Sequence, residues 1–177
     1  ATATDDCGNS TTETCVQTIT VNDNTPPTIS LTCPADYMVD ADASCNADVS
    51  TTAAGEATAT VSDNCDAGIT VSVSSSDGAQ TALCEGSYTF DRTWTATATD
   101  DCGNSTTETC VQTITVNDNT PPTISLTCPE DYTVNADVNC NADVSTTAAG
   151  EATAAVSDNC DAGVMVSVCS SDGIGRA

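Results

Sequence analysis

From Ala1 to Pro34 the chain reads ATATDDCGNSTTETCVQTITVNDNTPPTISLTCP, and the same letters recur from Ala96 to Pro129. The offset of 95 residues holds to the end of the chain, with 12 mismatches when Ala1–Ala82 is set against Ala96–Ala177. A chain that repeats at this period is an array of like units, and each unit must solve the same packing problem. Two full units would take 190 residues and 177 are present, because Leu83–Thr95 occurs only once. The double prolines of NDNTPP stop a strand and fix an extended link, so the unit boundary is placed there. Residues 26–120 are then expected to form one complete domain. Residues 1–25 supply the C-terminal strands of a preceding repeat. Residues 121–177 form the N-terminal part of the next, to be completed by a following unit or a neighbouring chain.

Within the unit the dominant period is two. Tyr88, Phe90, Trp94, Ala96 and Ala98 share one parity, with Arg92 as the exception, and Thr89, Asp91, Thr93, Thr95, Thr97 and Thr99 fill the other. Cys110, Gln112, Ile114 and Val116 mark a second strand, and Ile29, Leu31 and Cys33 a third. Shorter strands are expected in Ala47–Thr52, Glu56–Ser62 and Ile69–Ser74, and no stretch shows a helical period. About seven short strands per unit predict an all-β antiparallel sandwich.

Charge narrows the partners. The chain carries 26 acidic residues against Arg92 and Arg176, with no Lys and no His, for a formal charge of −24. Such a surface repels phosphate backbones and anionic headgroups, which argues against nucleic-acid and membrane partners. It attracts cations, Ca²⁺ above all. Without His there is no Ser–His or Cys–His dyad and no imidazole metal site, and without Lys no Schiff base. The expectation is a protein that is not an enzyme and holds no organic cofactor.

Twelve cysteines in 177 residues point to disulfides and to an oxidising compartment, extracellular or at a cell surface. One unit holds six of them, and six permit 15 pairings. Strand logic ranks these. Cys33 and Cys110 share inward parity on the first and last strands and are paired. Cys65 and Cys102 both follow acidic turns at one end and are paired, which leaves Cys45 with Cys84. The second unit has Cys169 where the first has Ser74, so Cys169 is expected to take Cys140. Cys7 and Cys15 need partners from another unit or chain, or else bond to each other across a hairpin.

The order TPPTIS-x-x-CP, VSDNCD, ATDDCGN and TC-x-Q-x-ITV-x-D-x-TPP resembles the hyalin repeat over the whole unit. That resemblance implies tandem immunoglobulin-like sandwiches in extracellular adhesion proteins. It also implies that Cys33 and Cys110 occupy the family's paired positions. The extra cysteines and the acidity depart from the family's simplest form. The segments Asn22-Asp23-Asn24 and Asn117-Asp118-Asn119 resemble part of the calcium-binding linker of cadherins, with Thr20 and Thr115 at its upstream acidic position.

Candidate sites follow from these patterns. Asp63, Asp66, Asp100 and Asp101 in strand-end turns, with Asp118 and Asn119 on the linker, offer oxygen ligands for Ca²⁺. Asp and Asn are also ordinary turn formers. Asn9-Ser10-Thr11 and Asn104-Ser105-Thr106 are sequons for covalent glycans on Asn9 and Asn104. The expected function is a structural repeat unit of an extracellular filament, stalk or giant surface adhesin that assembles head-to-tail with itself. The alternative is a Ca²⁺-dependent module that binds a glycan or a cell surface.

Overall fold

Alternating Thr and apolar residues leave little choice but extended chain, since β-branched side chains suit a pleated, half-buried surface. The computed structural model describes residues 1–170. Arg176 lies outside them. Eleven strands and two short helical turns run through the described residues. A small hairpin pairs β1 (Thr2–Thr4) with β2 (Ser10–Thr12). The central unit then holds β3 (Thr28–Thr32), β4 (Tyr37–Asp40), α1 (Thr51–Ala54), β5 (Thr58–Ser62), β6 (Thr70–Asp77), β7 (Thr81–Cys84), β8 (Ser87–Thr99) and β9 (Ser105–Asn117). The next unit begins with β10 (Thr123–Thr127), α2 (Thr146–Ala149) and β11 (Thr153–Ser157).

The central unit is an immunoglobulin-like sandwich. One sheet runs β4-β9-β8-β6, with β7 also on β8, and faces the β3–β5 ribbon. All pairs are antiparallel except β4 on β9, which is parallel. The chain therefore changes sheet between β3 and β4. The long β8–β9 hairpin keeps its register from Tyr88↔Val116 to Thr99↔Ser105. Its inward face is Phe90, Trp94, Ala96, Ala98, Ile114 and Val116, all buried.

Two polar residues share that interior. Gln112 is 0 % exposed, and its Nε2 donates to the carbonyls of Ala35 and Ala54 at 2.7 Å each. Its Oε1 accepts from Trp94 Nε1 at 3.4 Å. Arg92, the odd member of its row, is 4 % exposed and bidentate to Asp77 at 2.6 and 2.9 Å. Its Nη2 also donates to the Val49 carbonyl. A guanidinium at an inward position is tolerated because its charge is paired as it loses water.

One expected strand is absent. Residues 47–52 run into α1, a single helical turn. Ser50 caps it by accepting from the Ala53 N–H, and Gly55 closes it at φ +89°. Such a turn is too short to show a helical period, but Ser-Thr-Thr-Ala-Ala-Gly carries a cap at each end.

Candidate functional site: an acidic, cysteine-bearing joint

Each end of the central sandwich carries an SDNCD turn. At the entry end this is the unit's own turn, Ser62–Asp66, packed beside the β8–β9 hairpin tip. In that turn Asp63 Oδ2 accepts from the Cys65 and Asp66 N–H groups, and Asp66 Oδ2 accepts from the Asp101 N–H. In the tip, Asp100 Oδ1 and Oδ2 accept from the Asn104 backbone and side-chain N–H groups at 2.7 and 2.8 Å. Asn104 Nδ2 also reaches the carbonyl of Asp23, which fastens the incoming linker to the hairpin. The carboxylates of Asp23, Asp63 and Asp100 thus converge, with one oxygen of each within 4.8 Å of the others.

The electrostatics of this end are one-sided. Burial pushes the Asp100 carboxyl up, but the donors from Asn104, Cys102 and Gly103 outweigh it and leave it below the usual carboxylate value. Burial raises the Cys65 thiol, and the charges of Asp23 and Asp63 raise it further. Asp63 Oδ1 is buried and accepts from no donor among the described residues. Buried carboxylate oxygens normally have a partner.

At the exit end the same parts recur 95 residues on. The turn Ser157–Asp161 of the next unit packs beside Asp118, Cys84 and Glu85. Asp158 Oδ1 is again buried without a donor. Gly86 sits here at φ +79°, and a Cβ on it would run into the side chain of Cys160. Glycine is required by both the backbone and the close approach.

The structure groups four expected ligands, Asp63, Asp66, Asp100 and Asp101, at the entry end. It places the other two elsewhere: Asp118 lies at the exit end, and Asn119 donates to Asp40 at 2.7 Å. The linker ligand beside Asp100 is Asp23, which the sequence reading left out of the set. The repeat offset was the available signal, since Asp23 is Asp118 one unit earlier.

The cysteines divide similarly. Cys33 is bonded to Cys110, tying β3's end to β9. The expected Cys65–Cys102 bond is not formed: the two line the acidic cleft as thiols, where burial and the charges of Asp23 and Asp63 disfavour the Cys65 thiolate. Cys45 is not bonded to Cys84 as expected; it is bonded to Cys160 of the next unit. The Asp42–Asn46 turn projects from the exit end, where Asn159 Nδ2 donates to the Asp42 carbonyl, so the two turns meet there. Cys84 stays an exposed thiol. Cys140 and Cys169 are also unbonded, because Cys169 lies instead in a cleft of about 470 Å³ beside Cys128. Of the two sequons, Asn9 is exposed and bonded only to Asp5 of its own turn, whereas Asn104 is half-buried.

Fold and joint define a class: an immunoglobulin-like β-sandwich repeat, disulfide-bonded within and between units. Residues 78–162, just under half of the chain, match the family model for a bacterial Ig-like domain (group 3). The matched window crosses the Pro121–Pro122 link. No curated protein and no solved structure matches the chain.

Proposed function

We propose that this chain is a structural repeat of an extracellular filament, stalk or giant surface adhesin, working by head-to-tail continuity. The observation that carries the reading is the Cys45–Cys160 bridge, a covalent bond from one unit to the next. Near-identical units present near-identical ends, which suits a joint repeated without closure. The Ig-like match is compatible with a structural or adhesive role. The hyalin resemblance and the disulfides support a role outside the cell.

Ca²⁺ belongs to the same proposal. Asp23, Asp63 and Asp100 are hard oxygen donors, and the orphan oxygen of Asp63 recurs at Asp158. A divalent ion there would fix the linker to the sandwich and offset part of the negative field. Asn9 is the sequon open to a glycan; at Asn104 a sugar would displace a hydrogen bond that Nδ2 makes to Asp23 or Asp100.

Electron microscopy of native material, with and without a chelator, tests these statements. Fibres with a domain-length axial repeat are expected, stiffer with Ca²⁺ than without. Monodisperse particles that bind a glycan would instead establish the adhesion-module reading. Fibres indifferent to chelation, with no metal by elemental analysis, would remove Ca²⁺ from the account.

A further inference from the structure

Every sheet edge of the central sandwich is guarded except one. The β4 edge is four residues long and is bracketed by Asp36 and Asp40. β9 is covered by β4 at one end, and carries Glu108 and the Cys33–Cys110 bond further back. β3 lies between Pro27 and Pro34, β5 lies between Glu56 and Asp63, and the short β7 runs into Glu85. Short strands, prolines and charges keep an edge from pairing with another chain. β6 lacks them over most of its length. It runs eight residues, Thr70–Asp77, in unbroken register with β8. From Ala67 to Ser76 there is no charge and no proline. Among the described residues β6 pairs with β8 alone, so its other side presents unpaired N–H and C=O groups.

Both faces of this edge suit a copy of itself. On the outward face its serines continue rows of hydroxyls across the sheet, Ser72 to Thr97 to Thr107 and Ser74 to Thr95 to Thr109. The hydroxyls of Thr97 and Thr107 already lie 3.2 Å apart. On the inward face Val73 is 38 % exposed and Ser75 is exposed, although Ala96 and Trp94 opposite them are buried. The inward side of the edge therefore outruns the cover beneath it. All of these strands belong to the central sandwich, so the exposure is a property of the folded unit.

We infer that the β6 edges of two copies pair antiparallel about a two-fold axis and join the chains side by side. The inference goes beyond head-to-tail assembly and does not rest on it. Charge selects the site. Two copies that each carry a formal charge of −24 repel one another. Along the β6 edge and its hydroxyl rows they meet without facing carboxylates, since Asp77 at the strand's end is already paired with Arg92. In one continuous sheet, residues of the same face stand opposite each other, so the axis passes through a residue. Centring on Val73 brings the two Val73 side chains together on the inward face. It sets Ser72 against Ser74 of the second copy on the outward face, where paired hydroxyls add to the strand hydrogen bonds. It also keeps the two Asp77 carboxylates at opposite ends. Centring on Ser74 would instead leave each Val73 facing Ser75. A single edge is a small contact and pairs weakly, but a chain of such units multiplies it.

The test uses the 177-residue chain, followed by sedimentation and by amide exchange over residues 70–76. In the unsubstituted chain, protection of the amides that face away from β8 should grow with protein concentration, and more strongly in high salt than in low. The double variant Ser72→Asp with Ser74→Asp should lose that growth, because it sets like charges opposite each other. Both serines are exposed, so the fold is kept. Adding unlabelled Ser72→Lys with Ser74→Lys chain to ¹⁵N-labelled Asp variant should restore the protection, which a merely misfolded variant would not allow. Protection that never depends on concentration in the unsubstituted chain overturns the inference. So does concentration-dependent protection that is unchanged in the Asp variant, or an Asp–Lys mixture that recovers none. Each of these leaves head-to-tail assembly standing.

Discussion

Gln112 sits where β9 passes beneath α1, and its amide joins three segments that are far apart in sequence. Replacing it with Leu would keep the volume but leave two carbonyls and the Trp94 N–H without partners. Each such group costs about 1–3 kcal/mol. Gln112→Leu should therefore lower stability by at least about 3 kcal/mol in urea unfolding. Arg92 and Asp77 give an asymmetric pair. Arg92→Met removes a buried charge and leaves Asp77, which is 46 % exposed, free to hydrate. Asp77→Ala strands the guanidinium. The second change should be the more damaging, by about 2 kcal/mol in the same assay. Hydrogen bonding to Arg92 holds the Asp77 carboxyl below its usual value. Turn N–H groups do the same to Asp42 and Asp137, as the Ser50 and Ser145 donors do to Asp48 and Asp143. A folded pKa below the unfolded one gives stability that is complete above the unfolded value and lost as pH falls through the folded one. Thermal unfolding should thus be flat above about pH 5 and fall below about pH 4, less steeply in Arg92→Met. The inward parity of Gln112 and the odd parity of Arg92 are legible in the sequence. Their partners are not, because Ala35, Ala54, Val49 and Asp77 come from other segments.

At the scale of elements, period two is enough to locate β3, β8 and β9, because each has one dry face. The weaker edges are less legible. β7 carries Leu83 as its one large apolar residue, β4 sets Tyr37, Met38 and Val39 side by side with no alternation, and a single helical turn has no period to detect. The Cys33–Cys110 bond spans 77 residues of sequence. Replacing both cysteines with Ser should cost about 4 kcal/mol of unfolding free energy by loop entropy. It should leave the far-ultraviolet spectrum of the folded state intact. Cys45 shows what spacing cannot supply. Cys84 is nearer in sequence and Cys160 is nearer in space, because the next unit's turn folds back over Gly86.

At the scale of the whole molecule the −24 charge is the main adversary. Like charges oppose the compact state, and screening falls to about 10 Å at 0.1 M salt. Raising NaCl from 10 mM to 0.5 M should raise the melting temperature. Millimolar CaCl₂ should raise it further than NaCl of equal ionic strength if the Asp23–Asp63–Asp100 cluster takes the ion. Equal effects would reduce Ca²⁺ to a screening counterion.

The sequence by itself determined the period, the all-β class, the inward rows and the likeness of successive units. These follow from local alternation and from direct repetition. Only the tertiary structure decided which cysteines meet and which acids converge. Those depend on how segments far apart in sequence are brought together, and a linear spacing does not record that distance. The joint between units therefore came from the fold, although every residue in it had been visible as a repeated letter.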